Sequence, residues 1–287
     1  MEIRLLATIE EFRQVFTLEM HVWGYSDAQD AVAVPILAVT VRNGGILIGA
    51  YDGKELVAFV YSLAGIKHGK PIQWSHMLGV RDDHRGAGIG TLLKLEQRKR
   101  AMEMGIDTIQ WTFDPLQAVN AHLNLRRLGA TVEEYEEDAY GESSSPLHRG
   151  TPTDRFIADW QIRSAHVERC LDTGDEQRAI RGGRASRAVS DAAAGQAPRV
   201  NSAVPQGEWL APGDPDLELV APRLLVEIPI GFSEMQSRVT AVAQKWRTVT
   251  REIFTHYFAR GYRAVDFRLD RENRRGAYLL TNQPRAG

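Results

Sequence analysis

The sequence of 287 residues contains a single cysteine, Cys170, and its charges almost cancel. One cysteine excludes an internal disulfide and any zinc site built from several cysteines. Thirty-five Lys and Arg residues against 37 Asp and Glu residues give a formal charge of −2, which argues against a globally basic nucleic-acid-binding protein. No apolar run approaches the ~20 residues that span a bilayer, and the first residues lack a signal-peptide core.

The residues that are present are typical of a folded cytoplasmic protein. Hydrophobic residues make up 43% and charged residues 25% of the chain, which excludes a wholly disordered or collagen-like protein. The eight histidines show no metal-ligand spacing such as His-Glu-x-x-His, so no metal is expected. We expect no nucleic-acid partner and no membrane partner.

The first part of the chain alternates helical and strand-like segments. A capping box at Thr8–Glu11 predicts a helix that Gly24 ends, and a weaker helix around 28–41 is expected to be interrupted by Pro35. Neighbouring antiparallel strands are predicted at 46–51, 55–63 and 72–80.

Beyond a glycine-rich turn at 86–90, leucines at helical spacing predict a helix up to Gly105, and 108–113 is again strand-like. Strand, turn, helix and strand in this order imply a crossover between parallel strands. A short helix is predicted at 120–128, with further strands at 132–135 and 156–162.

Between Asp172 and Arg199 large aliphatic residues are scarce, which predicts a flexible linker. Structure resumes with a strand at 224–228 and one long helix, opened by a capping box at Ser233–Gln236 and marked by a buried stripe up to Tyr257. A hairpin at 262–269 and 276–281 follows, and this small unit is expected to dock on the first domain.

A helix, a glycine and two strands therefore follow one another near the end of each half of the chain. This similarity is too generic to prove that the two halves arose by duplication. The predicted domain organisation is 1–163 for the first domain, 164–199 for a helix and flexible linker, and 200–287 for the C-terminal domain.

The most informative segment is the glycine turn, where Gly86, Gly88 and Gly90 follow a strand and open a helix. Glycines let the backbone approach a ligand closely, and the unpaired amides and dipole of the helix start favour a phosphate or pyrophosphate. A P-loop would need Gly-Lys-Ser/Thr, but Thr91-Leu92 follow Gly90. A dinucleotide fingerprint would need its third glycine where Thr91 stands.

The pattern Arg85-x-x-Gly88-x-Gly90 resembles the pyrophosphate-binding motif of the GNAT superfamily of acyl-CoA N-acyltransferases. The order of elements from Met1 to about Arg163 is similar to that family as well. The resemblance implies an α/β (α+β) fold with a mixed, mostly antiparallel central sheet flanked by helices, here followed by a smaller C-terminal α/β domain. It also implies acetyl-CoA or another acyl-CoA as co-substrate.

The resemblance assigns a CoA site to particular residues. Val80 would pair through its backbone with the pantetheine arm, and Asn120 is similar to an asparagine that often contacts CoA. Many members carry a tyrosine at the position of Leu125 that protonates the leaving thiolate, and leucine cannot replace it. The pyrophosphate would be held by the backbone amides of Arg85, Gly86, Ala87, Gly88, Ile89 and Gly90.

Acyl transfer needs a base for the amine and an acid for the thiolate. His76 is the first candidate base, because strand alternation places it on the same side as Leu78 and Val80. A histidine hydrogen-bonded within the sheet is the alternative interpretation. Other candidate bases are Glu133 and Glu134, and candidate acids are Tyr135 and Tyr140.

The polar loop 147–155 contains Arg149 and Arg155, either of which could bind a carboxylate through two hydrogen bonds. That carboxylate would belong to an amino-acid acceptor or to a dicarboxylic donor such as succinyl-CoA. The alternative is a structural ion pair with Asp154. The segments 75–80 and 152–156 also resemble a little-characterised bacterial branch of the superfamily, some members of which are associated with amino-acid N-succinylation.

The resulting hypothesis is an acyl-CoA-dependent N-acyltransferase that moves an acetyl or succinyl group to a small-molecule amine, and a homodimer is its expected assembly. The alternative, favoured by Leu125 and by the appended domain, is a non-catalytic acyl-CoA-binding or interaction protein.

Overall fold

The computed structural model describes residues 1–141, 151–172 and 197–284. The helices in these ranges are α1 (Ile9–Trp23), α2 (Val34–Arg42), α3 (Ile89–Glu103), α4 (Ala118–Ala121), α5 (Ala165–Asp172), α6 (Phe232–Arg238) and α7 (Thr240–Ala259). The strands are β1 (Glu2–Leu5), β2 (Ile46–Asp52), β3 (Glu55–Lys67), β4 (Lys70–Val80), β5 (Thr108–Phe113), β6 (Thr131–Glu136), β7 (Arg155–Gln161), β8 (Ala203–Gln206), β9 (Trp209–Pro212), β10 (Arg223–Pro229), β11 (Arg263–Asp270) and β12 (Arg275–Thr281).

Ten of these strands form one sheet, in the order β1-β2-β3-β4-β5-β7-β6-β11-β12-β10. Every neighbouring pair is antiparallel except β4 and β5, which are parallel. Strands β8 and β9 form a separate hairpin. The predicted fold class, a mixed and mostly antiparallel sheet flanked by helices, is confirmed.

The first helix begins and ends as predicted. The Thr8 side chain accepts from the Glu11 amide, the Glu11 carboxylate accepts from the Thr8 amide, and Gly24 ends α1 in the left-handed conformation. The expected interruption at Pro35 is wrong. Pro35 lies in the first turn of α2, where its missing N–H costs no intrahelical hydrogen bond.

The predicted C-terminal helix is two helices. Gly231, with φ of 84°, precedes α6, and the backbone breaks at Val239 before α7 begins. The capping box at Ser233 is therefore wrong, because the helix already includes Phe232, which is 1% exposed and anchors its first turn in the core. The Ser233 hydroxyl instead exchanges hydrogen bonds with the Gln117 side chain.

Two neighbouring sets of three strands in the large sheet share one arrangement. Strands β5, β7 and β6 lie side by side in that order, with α4 between β5 and β6 in the chain. Strands β10, β12 and β11 repeat this order, with α6 and α7 in the corresponding connection. The two sets meet where β6 pairs with β11 at Val132 and Ala264. The repeated sequence pattern thus has a structural counterpart.

The C-terminal unit packs on the first part of the chain through two arginines of α7, as the docking expectation required. The guanidinium of Arg247 donates two hydrogen bonds to Asp114, at 2.8 and 2.9 Å, directly after β5. Arg251, one turn later, donates two to Asp154 at 2.9 and 2.7 Å. The division at 163 and 199 stays a prediction, and residues 173–196 of the predicted linker lie outside the described residues.

Replacing Arg247 by methionine should lower the free energy of unfolding by about 3 kcal/mol, because it leaves the Asp114 carboxylate buried without its counter-charge. Both side chains are buried, with 3% and 11% of their surface exposed. The change is measured by urea unfolding. Arg238→Met is the control, since Arg238 pairs with Glu234 at 3.0 Å with both side chains more than half exposed, and it should cost less than about 0.5 kcal/mol. An equal loss of unfolding free energy in both variants would contradict this account of the Arg247–Asp114 ion pair.

Candidate functional site

The central feature of the site is a slot between β4 and β5. These strands pair only at Gln73 with Ile109 and at Trp74 with Gln110, and then separate. Arg81 donates its amide to Val57 of β3 at 2.9 Å. In a β-strand, the backbone N–H and C=O groups of successive residues point to opposite edges of the strand. Because Arg81 bonds to β3, the backbone groups of Val80 point to the other edge, into the slot.

The turn between β4 and α3 lies at the open end of this slot. Gly86 and Gly88 have φ of 82° and 81°, a region that residues with a side chain rarely adopt. Gly88 precedes α3, and no side chain caps this helix start. The first amides of α3 are therefore available to an anion, where the helix dipole adds a favourable field.

Arg85 connects the turn to the end of β4. Its Nε donates to the Val80 carbonyl at 3.1 Å, and its Nη2 lies 2.7 Å from Asp82. The side chain thereby ties the end of β4 to the turn. The predicted pyrophosphate residues and Val80 are thus adjacent in space.

A β-bulge in β4 changes the position of His76. Tyr61 of β3 pairs with Met77 and the next residue, Ser62, pairs with Ser75, so His76 is the additional residue. Its ring packs edge-on to that of Tyr61, 6.2 Å between centroids. Tyr61 and Met77 belong to the core cluster beneath α1 and α2.

The expectation that His76 shares a side with Leu78 and Val80 is therefore wrong. Leu78 and Val80 pack with the cluster on the α3 side, whereas the bulge turns His76 to the opposite side. His76 remains exposed. Partial desolvation lowers its pKa below the usual value, which favours a neutral ring that can accept a proton at pH 7.

Tyr140 and Arg155 lie beside the β5 wall of the slot. The Tyr140 hydroxyl is 2.7 Å from Thr112 Oγ1 on β5, and the Arg155 guanidinium lies over the Tyr140 ring, 5.3 Å from its centroid. The Tyr140 residue is 47% exposed. Of the candidate acids, Tyr140 is the one next to the slot.

Tyr135 lies in the contact with α7 instead. Its hydroxyl donates to Asp154 at 2.5 Å, and its ring stacks on Phe254. Burial and the neighbouring carboxylate raise its pKa. Asp154 in turn accepts two hydrogen bonds from Arg251. Tyr135 therefore takes part in the packing of β6 against α7.

The remaining predicted residues are placed less centrally. Glu134 pairs with Lys67 at the end of β3, 2.8 Å away, and is mostly exposed. Asn120 is exposed on α4, and Glu133 is exposed on β6. Leu125 is fully buried in a π-helical turn at 122–127. Arg149 lies outside the described residues.

Sequence reasoning missed a buried amine, that of Lys94 on α3. The residue is 2% exposed, and its Nζ donates to Ser75 Oγ at 2.8 Å and to Gln97 Oε1 at 3.1 Å. The same Nζ lies 3.8 Å from the centroid of the Trp111 ring. Desolvation lowers its pKa to about 7. The available signal was a serine at 75 within an apolar strand, facing a lysine and a glutamine three residues apart.

A second missed group is Glu19 of α1, whose residue is 1% exposed. Its Oε1 accepts from the Val32 amide at 3.1 Å, and within the described ranges its Oε2 has no hydrogen-bond partner. Burial raises its pKa to about 7. Burial, together with the charge of Glu19, also raises the pKa of nearby Tyr25 to about 12. The end of α1 thus adds polar groups on the His76 side of the sheet.

Within residues 1–141, 151–172 and 197–284, no group of three or more His, Cys, Asp or Glu side chains could hold a metal ion. No helix there is both long and apolar enough to cross a membrane.

No protein-family profile and no curated protein sequence matches the chain. Among solved structures, it is similar to aminoglycoside 6'-acetyltransferase type Ii, with 20% identity over 57% of this chain and 99% of that chain and a TM-score of 0.44. It is also similar to the PaiA N-acetyltransferase from Thermoplasma acidophilum in complex with coenzyme A, with 19% identity, coverage of 56% and 98%, and a TM-score of 0.42. A third is an acetyltransferase of the GNAT family from Streptococcus pneumoniae, with 14% identity, coverage of 55% and 97%, and a TM-score of 0.46.

The buried amine gives a pH prediction for the free protein. The pKa of Lys94 falls from an ordinary lysine value of 10.5 to about 7 in the folded protein, so between these pH values unfolding takes up a proton. Wild-type stability should therefore rise with pH by up to about 1.4 kcal/mol per unit from this group. Lys94→Met lacks this group. The free energy of unfolding of Lys94→Met minus that of wild type should therefore decrease between about pH 7 and pH 9.

Urea unfolding at several pH values measures this difference. Lys99→Met on the same helix is the control, because the Lys99 side chain is 61% exposed. Its difference from wild type should not vary with pH. A Lys94→Met difference that is equally flat would contradict the lowered pKa.

Proposed function

We propose that the chain is an acyl-CoA-dependent N-acyltransferase of the GNAT superfamily. The observation that carries this proposal is the junction of the glycine turn with the slot: free helix amides lie at the open end of two separating parallel strands. A ligand with a diphosphate and an extended amide-containing arm fits both parts. Acyl-CoA has this composition.

The backbone of the turn binds the pyrophosphate, and the arm extends along β4. Amides from Gly86 to Gly90 donate to the phosphate oxygens, whereas the Arg85 amide donates to the Asp82 carbonyl at 3.2 Å. The arm lies in the slot as an added strand, and its amides pair with backbone groups of Val80. This places the thioester near the bulge at His76.

The reaction is direct attack of an acceptor amine on the thioester carbonyl. Neutral His76 accepts a proton from the amine, and a backbone N–H of β4 polarises the carbonyl oxygen. The C–N bond forms and the C–S bond breaks. Tyr140 donates its hydroxyl proton to the leaving thiolate, a role that Leu125 cannot fill.

The acceptor approaches from the side of His76 and Tyr140. Arg155, which lies over the Tyr140 ring, is suited to bind a carboxylate through two hydrogen bonds. An amino acid, with an amine and a carboxylate, is therefore the acceptor class that we favour.

A second function, a non-catalytic acyl-CoA-binding protein, is favoured by one observation. Leu125 is fully buried and apolar, so the position that often carries the acid has no proton donor. Release of free CoA in the presence of amino acids, detected with a thiol reagent, separates the two functions.

Gly88→Trp should weaken CoA binding by at least about 30-fold, because the side chain occupies the anion site and the positive φ strains the turn. Isothermal titration calorimetry measures the affinity. Gly53→Trp is the matched control: Gly53 has φ of 60° and nothing lies within 4 Å of its added Cβ. It should bind CoA as wild type does. Unchanged CoA affinity in folded Gly88→Trp would remove the basis of the proposal.

His76→Ala should lower kcat/KM by about 100-fold or more, and it should abolish the acidic limb of the pH–rate profile. The reason is that His76 must be neutral, and partial desolvation holds its pKa below the ordinary histidine value of 6.5. Wild-type activity should therefore fall as the ring becomes protonated. The profile is recorded from about pH 5 to pH 9, a range that brackets the usual histidine pKa. A variant that keeps full activity and the acidic limb would exclude His76 as the base.

A further inference from the structure

The ammonium group of Lys94 lies at the closed end of the slot. Trp74 and Gln110 form the last backbone pair between β4 and β5, and the next residues of the two strands are Ser75 and Trp111. The Nζ of Lys94 contacts both of these side chains, at 2.8 Å from Ser75 Oγ and 3.8 Å from the Trp111 ring centroid. It therefore bridges the two strands at the position where they separate.

This charge is buried among neutral groups. Ser75, Gln97 and Trp111, which surround the Nζ, are neutral. Within the described ranges no carboxylate lies in ion-pair contact with Lys94, and desolvation alone accounts for its lowered pKa. A buried charge is costly unless it is paired, so an ammonium here is suited to an anionic ligand.

A donor bound along the slot would extend toward the Lys94 ammonium. The open part of β4, from Ser75 to Val80, is about 17 Å long at the usual rise per residue of a strand. A carrier anchored by its diphosphate at 85–90 extends its arm along this length. The acyl chain beyond the thioester then points to Ser75 and Lys94.

We propose that the donor acyl group ends in a carboxylate and that Lys94 binds this carboxylate at the closed end of the slot. The inference rests on the proposed function and specifies its donor as the CoA thioester of a short dicarboxylic acid. The carboxylate supplies a counter-charge and accepts an N–H from Lys94 in place of Gln97 Oε1. The Ser75 hydroxyl, which donates to Gln97 Oε1 at 3.2 Å without ligand, then donates to the second carboxylate oxygen. An acetyl group would leave the ammonium uncompensated.

The test compares three probes by isothermal titration calorimetry: CoA, butyryl-CoA and succinyl-CoA. The last two have the same number of acyl carbons and differ by the terminal carboxylate. Wild-type protein should bind succinyl-CoA at least about tenfold more tightly than butyryl-CoA. In Lys94→Met this preference should fall to within about twofold, whereas butyryl-CoA affinity should stay near the wild-type value.

Lys99→Met is the matched control, because it removes an exposed charge from the same helix and should keep the wild-type preference. If all three probes fail to bind, the proposed function fails together with the inference. If CoA and butyryl-CoA bind but wild type does not prefer succinyl-CoA, the inference alone is overturned. A preference that Lys94→Met retains would likewise overturn the role of Lys94. The wild-type comparison decides the donor class even if Lys94→Met does not fold.

Discussion

The site depends on one constraint: two parallel strands that pair at only two positions and then diverge. Parallel neighbours normally satisfy each other's backbone groups, so the divergence leaves Val80 with backbone groups directed into a gap. The glycine turn places helix amides at one end of that gap, and the bulge at His76 lies along its wall. The groups that the proposed binding and the proposed chemistry require are therefore adjacent.

The C-terminal unit stabilises this arrangement from outside. Asp114 follows directly after β5, and the two hydrogen bonds from Arg247 hold it in place. Strand β5, which borders the slot, is thus bonded to α7, which follows it by more than a hundred residues in the chain. The Tyr278 hydroxyl adds a bond to the Pro115 carbonyl at 2.7 Å. The appended unit thereby supports the geometry of β5, although its own residues do not line the slot in our proposal.

Local patterns predicted much of the fold. The capping box at Thr8, the crossover at the glycine turn and the strand at 108–113 depend on short-range chemistry, which the sequence displays directly. Alternation failed at His76, because a bulge arises from pairing with β3 and has no local signature. The capping box at Ser233 failed because burial of Phe232 moves the helix start ahead of Ser233, and the single C-terminal helix failed because the backbone leaves the helical conformation at Val239. Lys94 and Glu19 were missed because their burial depends on tertiary packing.

The pairing of β11 with β6 has a consequence for self-association. Strand β6 would otherwise be the outer edge of the first set of strands, with open backbone groups that invite another chain. At the opposite end, Val200 donates to Leu225 of β10 and Leu225 donates to Pro198, so the border is bonded at this residue. In the described part of the chain, the two outer strands therefore differ: β1 has only four residues, and β10 is bonded at Leu225 by a neighbouring segment.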